Sequence, residues 1–426
     1  MKISTLFKLG VILGIAALGA CGGSDAIVTP SAPTMSIVAG NKQSANVRAS
    51  LPNPLAIAVT TADGGGVAGA TVEWAVVTGG GTLSATSVLT DAQGRASVNW
   101  TLGGLPGSQS VTATAAGLTG SPATFSATAA APIILHYDGT GWSTALEDGN
   151  GGQISLASIW GAAASNVFAV GRSCGGSLIL HYDGTGWGQT PSCVGGSLAQ
   201  FTSVWGTSAS DAFVVGKNAL PPSFASSISH YDGQQWSGVY TRNCSACFDL
   251  PNAVWSSSRA DAFVVGGSGA ILNYDGTNWT SQSSGTTQIL RSVWGAGPTG
   301  AVFAVGDGGT ILSYDRSTWR AQASGTTQPL YAVWGTSASD VFAVGGGGTV
   351  LHYNGTAWTA QNSGTTQSLY GVWGNSSNSV FAVGDASTIL RYNGTMWAAQ
   401  TTTASMNLRG IWGSSPTNAF AVGAPR

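Results

Sequence analysis

Charge is what this sequence has least of. Among 426 residues, Lys and Arg supply 15 and Asp and Glu 17, together 8%, against about 25% in an average soluble protein. Formal net charge is -2, and no run of Lys or Arg occurs beyond Lys8. The cationic footprint of a nucleic-acid-binding protein is therefore missing, and nucleic acid is excluded as a partner. A charged disordered chain is excluded as well, because 43% of the residues are hydrophobic, with Trp 16, Phe 12 and Tyr 10. Past residue 131 the only Glu is Glu147, so the carboxylate pair of a glycosidase has no obvious members. Long apolar runs are also absent after the first twenty-one residues, and a membrane-spanning helix needs about 18 to 20.

The beginning of the chain reads as an address. Lys2 and Lys8 precede the apolar stretch Leu9 to Leu18, which is short for a span and right for a signal peptide. Its end, Leu18-Gly19-Ala20-Cys21, resembles the lipobox of bacterial lipoproteins. The resemblance implies a leader over residues 1–20, cleavage before Cys21 and a diacylglyceryl group on that thiol. Gly22, in place of Asp, implies anchoring in the outer membrane, at the cell surface or on the periplasmic face. Residues 22–34 are small, polar and Pro-containing, as expected of a spacer that follows a lipidated Cys.

From residue 35 to 130, short β-rich runs recur about every ten residues, broken by Asp63-Gly64-Gly65-Gly66, Gly79-Gly80-Gly81 and Asp91-Ala92-Gln93-Gly94. Alternation over Ala70–Val77 and Ala96–Trp100 places Trp74 and Trp100 in the core of an all-β sandwich. The segment resembles the bacterial Ig-like domain of the intimin and invasin type, in NPLAIAVTTADGGGVAGATVEW, TDAQGRASVNWTLG and VTATAAGL. Gly66 stands where that family usually has Pro. The resemblance implies a stalk more than an adhesive module.

Residues 133–426 carry two interleaved signatures, each seven times. One is Trp followed by Phe and Val-Gly: Trp160, Trp205, Trp255, Trp294, Trp334, Trp373 and Trp412. The other is Tyr five residues before Trp, from Tyr137/Trp142 to Tyr392/Trp397. Asp-Gly or Asn-Gly between Tyr and Trp is a strong hairpin signal. A unit of about 42 residues with four short apolar runs cannot bury both faces alone. The expected fold is thus all-β: an Ig-like sandwich followed by a seven-bladed β-propeller of four-stranded blades. Its strands are termed a to d. The segment opens with strands c and d and stops after a and b, so the N-terminal pair should complete the C-terminal blade. The repeat resembles BNR-type and kelch-like propellers, and the WG...FAVG...ILHYDG repeats of secreted bacterial proteins. It departs from the sialidase Asp-box, because Asp stands four residues before Trp.

The spacings sort the loops by face. Trp to Phe across a-b is eight residues in six blades, and Tyr to Trp across c-d is five in all seven. Across d-a the Trp-to-Trp distance is 18, 18 and 19 in the first three connections and 15 in the last four. Across b-c, Gly171 to Tyr182 is 11 and Gly216 to Tyr231 is 15, against 8 in later blades. All insertions fall on one face, which is the candidate ligand face, with Glu147, Asp148, Arg172, Lys217, Arg242 and Asp249 on it. Cys174, Cys193, Cys244 and Cys247 lie there too. In an exported chain they suggest disulfides, of which Cys174 with Cys193 and Cys244 with Cys247 is the simplest of three pairings. His136, His181, His230 and His352 precede the repeat Tyr in different blades, on the order of 14 Å apart, and cannot share one metal. Neither catalytic, metal nor cofactor residues stand out. The reading is a non-enzymatic adhesion or binding lipoprotein that engages a glycan or an envelope or cell-surface protein. The alternatives are a periplasmic envelope-assembly scaffold and a polysaccharide-active hydrolase or lyase.

Overall fold

The computed structural model describes residues 32–104, 106–148, 154–173, 176–189, 200–218, 224–244 and 251–426. Residues 132, 189, 218, 224, 225 and 242–244 are described by their backbone alone. The expected leader, Cys21, Cys174, Cys193, Cys247 and Asp249 lie outside the described residues, and so do the side chains of Cys244 and Arg242.

Up to residue 130 the strands form two larger sheets. One has three strands, Thr34–Ala39, Leu55–Thr60 and Arg95–Val98; the other has five, among them Thr71–Thr78, Gly107–Thr114 and Ala123–Ala130. Burial alternates along Thr71–Thr78 and Ala123–Ala130, as a half-buried strand requires. Their inward residues share one core with Trp74, Trp100 and Phe125, the two Trp being 2% and 1% exposed.

From Pro132 onward the described residues form seven four-stranded antiparallel sheets. Six use consecutive strands, as in Leu330–Ser337 (a), Asp340–Gly345 (b), Val350–Tyr353 (c) and Trp358–Gln361 (d). The remaining sheet joins Met406–Ser415 (a) and Asn418–Pro425 (b) to Pro132–Tyr137 (c) and Trp142–Glu147 (d). Both ends of the repeat region thus meet in one blade, with His136 opposite Phe420. Each strand a touches strand a of the sheets on both sides, and Ser155–Ala163 touches Met406–Ser415, which closes a ring. These propeller-like blades are numbered 1 to 7 by the order of their a strands.

The two aromatic signatures are the joints between blades. The Phe of each strand b lies 5.3–6.2 Å from the Tyr and Trp rings of the next blade, as with Phe303 against Tyr353 and Trp358. This triad recurs at all seven joints, mostly edge to face, where aromatic pairs gain beyond area burial alone. On the inner side, the Trp of strand a rests on the residue after the Trp in the next blade. Six of those residues are Gly, and a Cβ on any of them would lie 2.5–2.9 Å from an indole carbon. In blade 3 the residue is Ser256: Trp205 is only half-buried and donates Nε1 to the Ser256 carbonyl at 3.1 Å, while Ser256 Oγ is buried without a hydrogen-bond partner. Three outer joints carry a further clasp, in which Trp319, Trp358 and Trp397 donate Nε1 to Gln282, Gln322 and Gln361 at 2.6–2.7 Å.

Candidate functional site

Hairpin turns and polar pairs occupy the a-b and c-d end of the ring. In the turns that follow the repeat Tyr, Asp138, Asp183 and Asp315 accept from a hydroxyl and two backbone N–H groups, which holds each carboxyl at about 2. The residue after the Asp or Asn is Gly in six blades, but in blade 4 it is Arg316 at φ 70. Its guanidinium compensates by reaching back to blade 3, bonding Asp261 at 2.9 Å, and by donating to the carbonyls of Gly297 and Gly300. The four His bond through Nε2 to Asn418, Asn166, Asp211 and Asp340 at 2.6–3.2 Å and pack on Phe rings. Each is a brace within its own blade.

The opposite end, where the d-a and b-c connections emerge, is built differently. Strand a begins there, and in every blade its pairing with strand b slips at one residue, three before the Trp. A bulge bends the strand and re-aims the extra side chain. The seven bulged residues are Ala157, Thr202, Asn252, Arg291, Tyr331, Tyr370 and Arg409, and all seven line the same axial cavity, about 150 Å³ in volume. Beneath them the wall is small: Ser158, Ser203, Ala253, Ser292, Ala332, Gly371 and Gly410.

Four of the bulged side chains stack in sequence around the mouth. The Arg291 guanidinium lies 5.6 Å from the Tyr331 ring centre, Tyr331 stacks on Tyr370 at 4.6 Å, and Arg409 lies 3.8 Å from the Tyr370 ring centre. Such cation–π contacts are each worth about 0.5–2 kcal/mol, according to exposure. Each Arg is also anchored by an Asp of the b-c turn. Arg291 gives Nε and Nη2 to Asp307 at 2.6 and 2.9 Å, and Arg409 meets Asp385 at 3.3 Å, where Tyr370 also donates its hydroxyl. On the other side, Lys217 at the end of strand b of blade 2 donates to Asn252 Oδ1 at 3.2 Å. Burial, and then the Arg291 charge, hold Lys217 below the ordinary lysine range.

Lys217 is therefore the one residue of the expected ligand face that reaches this mouth among the described residues. Glu147 and Arg172 are exposed strand-end residues at the same end, outside the mouth lining. Asp148 at the same end is 1% exposed, and its carboxylate accepts from the Ile154 N–H at 2.8 Å. Asp249 lies outside the described residues, and Arg242 is placed only by its backbone, in register with Ser226.

No protein-family model matches this sequence, and no curated protein is significantly similar to it. Solved structures are. A structure of YCF48 bound to D1 peptide matches with a TM-score of 0.51 and 18% identity, over 64% of this chain and 91% of that one. The WD40 β-propeller domain of Doa1 matches with a TM-score of 0.51 and 11% identity, over 65% and 91%. The fold is a β-propeller. At these identities the likeness is one of fold alone.

The propeller's mouth had a signal in the sequence. Aligned on the Trp, the a strands read LASIW, FTSVW, PNAVW, LRSVW, LYAVW, LYGVW and LRGIW. Within this near-uniform stretch the second position alone ranges from Ala to Arg and Tyr, and it is the bulged position.

Proposed function

We propose that this chain is a non-enzymatic, lipid-anchored binding protein of the outer membrane. Cys21 carries the lipid, residues 22–34 are the spacer, residues 35–130 are an Ig-like stalk, and residues 133–426 are a seven-bladed propeller. The propeller captures a protein partner on the end where the d-a and b-c loops emerge. One observation carries this reading: the bulged, charged and aromatic mouth opens on the face that holds every loop insertion. Rigid scaffolds with variable loops at one end are where recognition is usually built. A protein is favoured over a glycan because the repeated Tyr and Trp rings are engaged between blades, which removes them as sugar platforms. The peptide named with the YCF48 structure supports the same choice by analogy of fold.

Protease shaving of intact cells, followed by immunodetection of the propeller, tests the address. Loss of signal supports capture at the surface; full protection moves the propeller to the periplasm and favours the assembly-scaffold reading. Exchanging the loops Arg172–Ser177 and Leu220–Ser227 for their short later counterparts tests the face. Partner capture from envelope extracts is expected to fall while thermal stability holds. Undiminished capture by both exchanges would refute the assignment.

A further inference from the structure

Among the described residues, the mouth has a charge imbalance of one. Lys217, Arg291 and Arg409 supply three cations, and Asp307 and Asp385 two carboxylates. The two Arg are matched to the two Asp, and among the described residues Lys217 has no carboxylate partner. Its hydrogen-bond partner, Asn252, is fixed in turn by donating Nδ2 to the Leu290 carbonyl at 2.9 Å, next to Arg291. Arg291 commits Nε and Nη2 to Asp307, which leaves Nη1 free of that pair. The Tyr331 hydroxyl has no hydrogen-bond partner among the described residues, although its ring is clamped between Arg291 and Tyr370. Arg291 and Tyr331 thus line one cavity and Lys217 bonds a third lining residue, Asn252, so that among the described residues three donors and a surplus positive charge gather at the mouth.

We propose that the mouth binds a carboxylate: an Asp or Glu side chain of an extended segment of the protein partner, received by Lys217, Arg291 and the Tyr331 hydroxyl. The inference rests on the reading of this face as a protein-binding surface. A carboxylate supplies the missing negative charge and accepts from several donors at once, which makes charge-assisted hydrogen bonds the strong contacts of the site. It also offsets, at the half-buried Lys217 ammonium, the burial and the like charge of Arg291 that disfavour its charged form. A cavity of about 150 Å³ takes a side chain and no element of secondary structure, so the rest of the segment lies across the loops.

The test is panning of a display library of short random peptides on the full chain. Retained peptides are remade with each acidic residue as its amide. The expected result is a shared acidic position whose Glu→Gln or Asp→Asn change weakens binding about tenfold or more. Lys217→Gln and Tyr331→Phe should weaken the acidic peptide by a similar factor and leave its amide form unaffected; Tyr331→Phe keeps the ring stack, so folding is not at issue. Retained peptides with no acidic requirement, or equal loss of the acid and amide forms in Lys217→Gln, overturn the carboxylate site and leave the protein-binding face standing. Acetate or oligouronate that competes as well as the peptide overturns the choice of a protein carboxylate. A library that yields no binder overturns both readings.

Discussion

The Trp-on-Gly joint makes a quantitative prediction, because the protein contains its own counterexample. A Cβ placed on Gly335 would sit 2.9 Å from Trp294 Cη2 and 2.6 Å from the Asp340 carbonyl oxygen. Neither neighbour can yield freely, since the carbonyl is backbone and Trp294 is 7% exposed. Overpacking of this kind costs about 1–3 kcal/mol, and loss of glycine's freedom in the unfolded chain returns about 0.4–1. Gly335→Ala should therefore destabilise by about 1–2 kcal/mol, lowering Tm by about 2–8 °C for a domain of this size. Ser256 gives the reverse case. Its buried hydroxyl lacks a partner, a penalty of about 1–3 kcal/mol, whereas Gly in a strand costs about 0.5–1. Ser256→Gly should stabilise by about 0.5–2 kcal/mol and let Trp205 sink, with a blue shift in its fluorescence. Thermal unfolding of both variants by circular dichroism decides the matter. If Gly335→Ala melts with or above the parent, or Ser256→Gly melts below it, the steric account of the Trp-Gly repeat is wrong.

Three other outcomes are expected. Gln361→Leu leaves Trp397 Nε1 buried without its acceptor and should cost about 1–3 kcal/mol, read in urea unfolding; a neutral result would mean that the clasp contributes nothing. Arg316→Ala should be less stable than Arg316→Gly by about 1 kcal/mol, because both lose the bridge to Asp261 but only Ala keeps a side chain in the left-handed region; equal stabilities would contradict this. The turn carboxylates of Asp138, Asp183 and Asp315 lie below the unfolded value of 3.8, at about 2. Their contribution is present above the unfolded value and lost as pH falls through about 2. The triple Asn variant, which keeps the turn geometry of Asn354 and Asn393, should lose less stability on acidification than the parent, and a parallel acid limb would refute the assignment.

Much of the architecture could be read from the residues because each aromatic performs one task seven times. Trp334 with Phe342, and Tyr353 with Trp358, recur as pairs at nearly constant spacing, and the pairs follow from contacts that every joint must repeat. The closing blade was legible for the same reason, since an unfinished unit at each end leaves two pairs of strands to meet. The mouth was harder. Its members stand about 40 residues apart, one per blade, and each alone looks like an ordinary half-exposed strand residue. Only the bulge turns them toward a common axis, and a bulge has no composition of its own. The burial of Asp148 against the Ile154 N–H could not be read from its residue type. Lys217 was found because it borders an inserted loop, and its direction came only from Asn252.

Blade 7 couples the two ends of the repeat region, and this matters for a chain that is made from its N-terminus. Pro132–Tyr137 is made before the six other blades and its partner Asn418–Pro425 after them, so the ring has to stay open until that strand has been made. The earlier blades can form in order, but the latch cannot. The N-terminal strands lead straight into the same latch, because residue 130 is followed almost at once by strand c of that blade. If the chain is tethered at its N-terminus as proposed, tension from a captured partner would pass through the pairing of Ile134–Tyr137 with Ala419–Val422 before it reached any consecutive blade. Under force, the ring should open at its seam first.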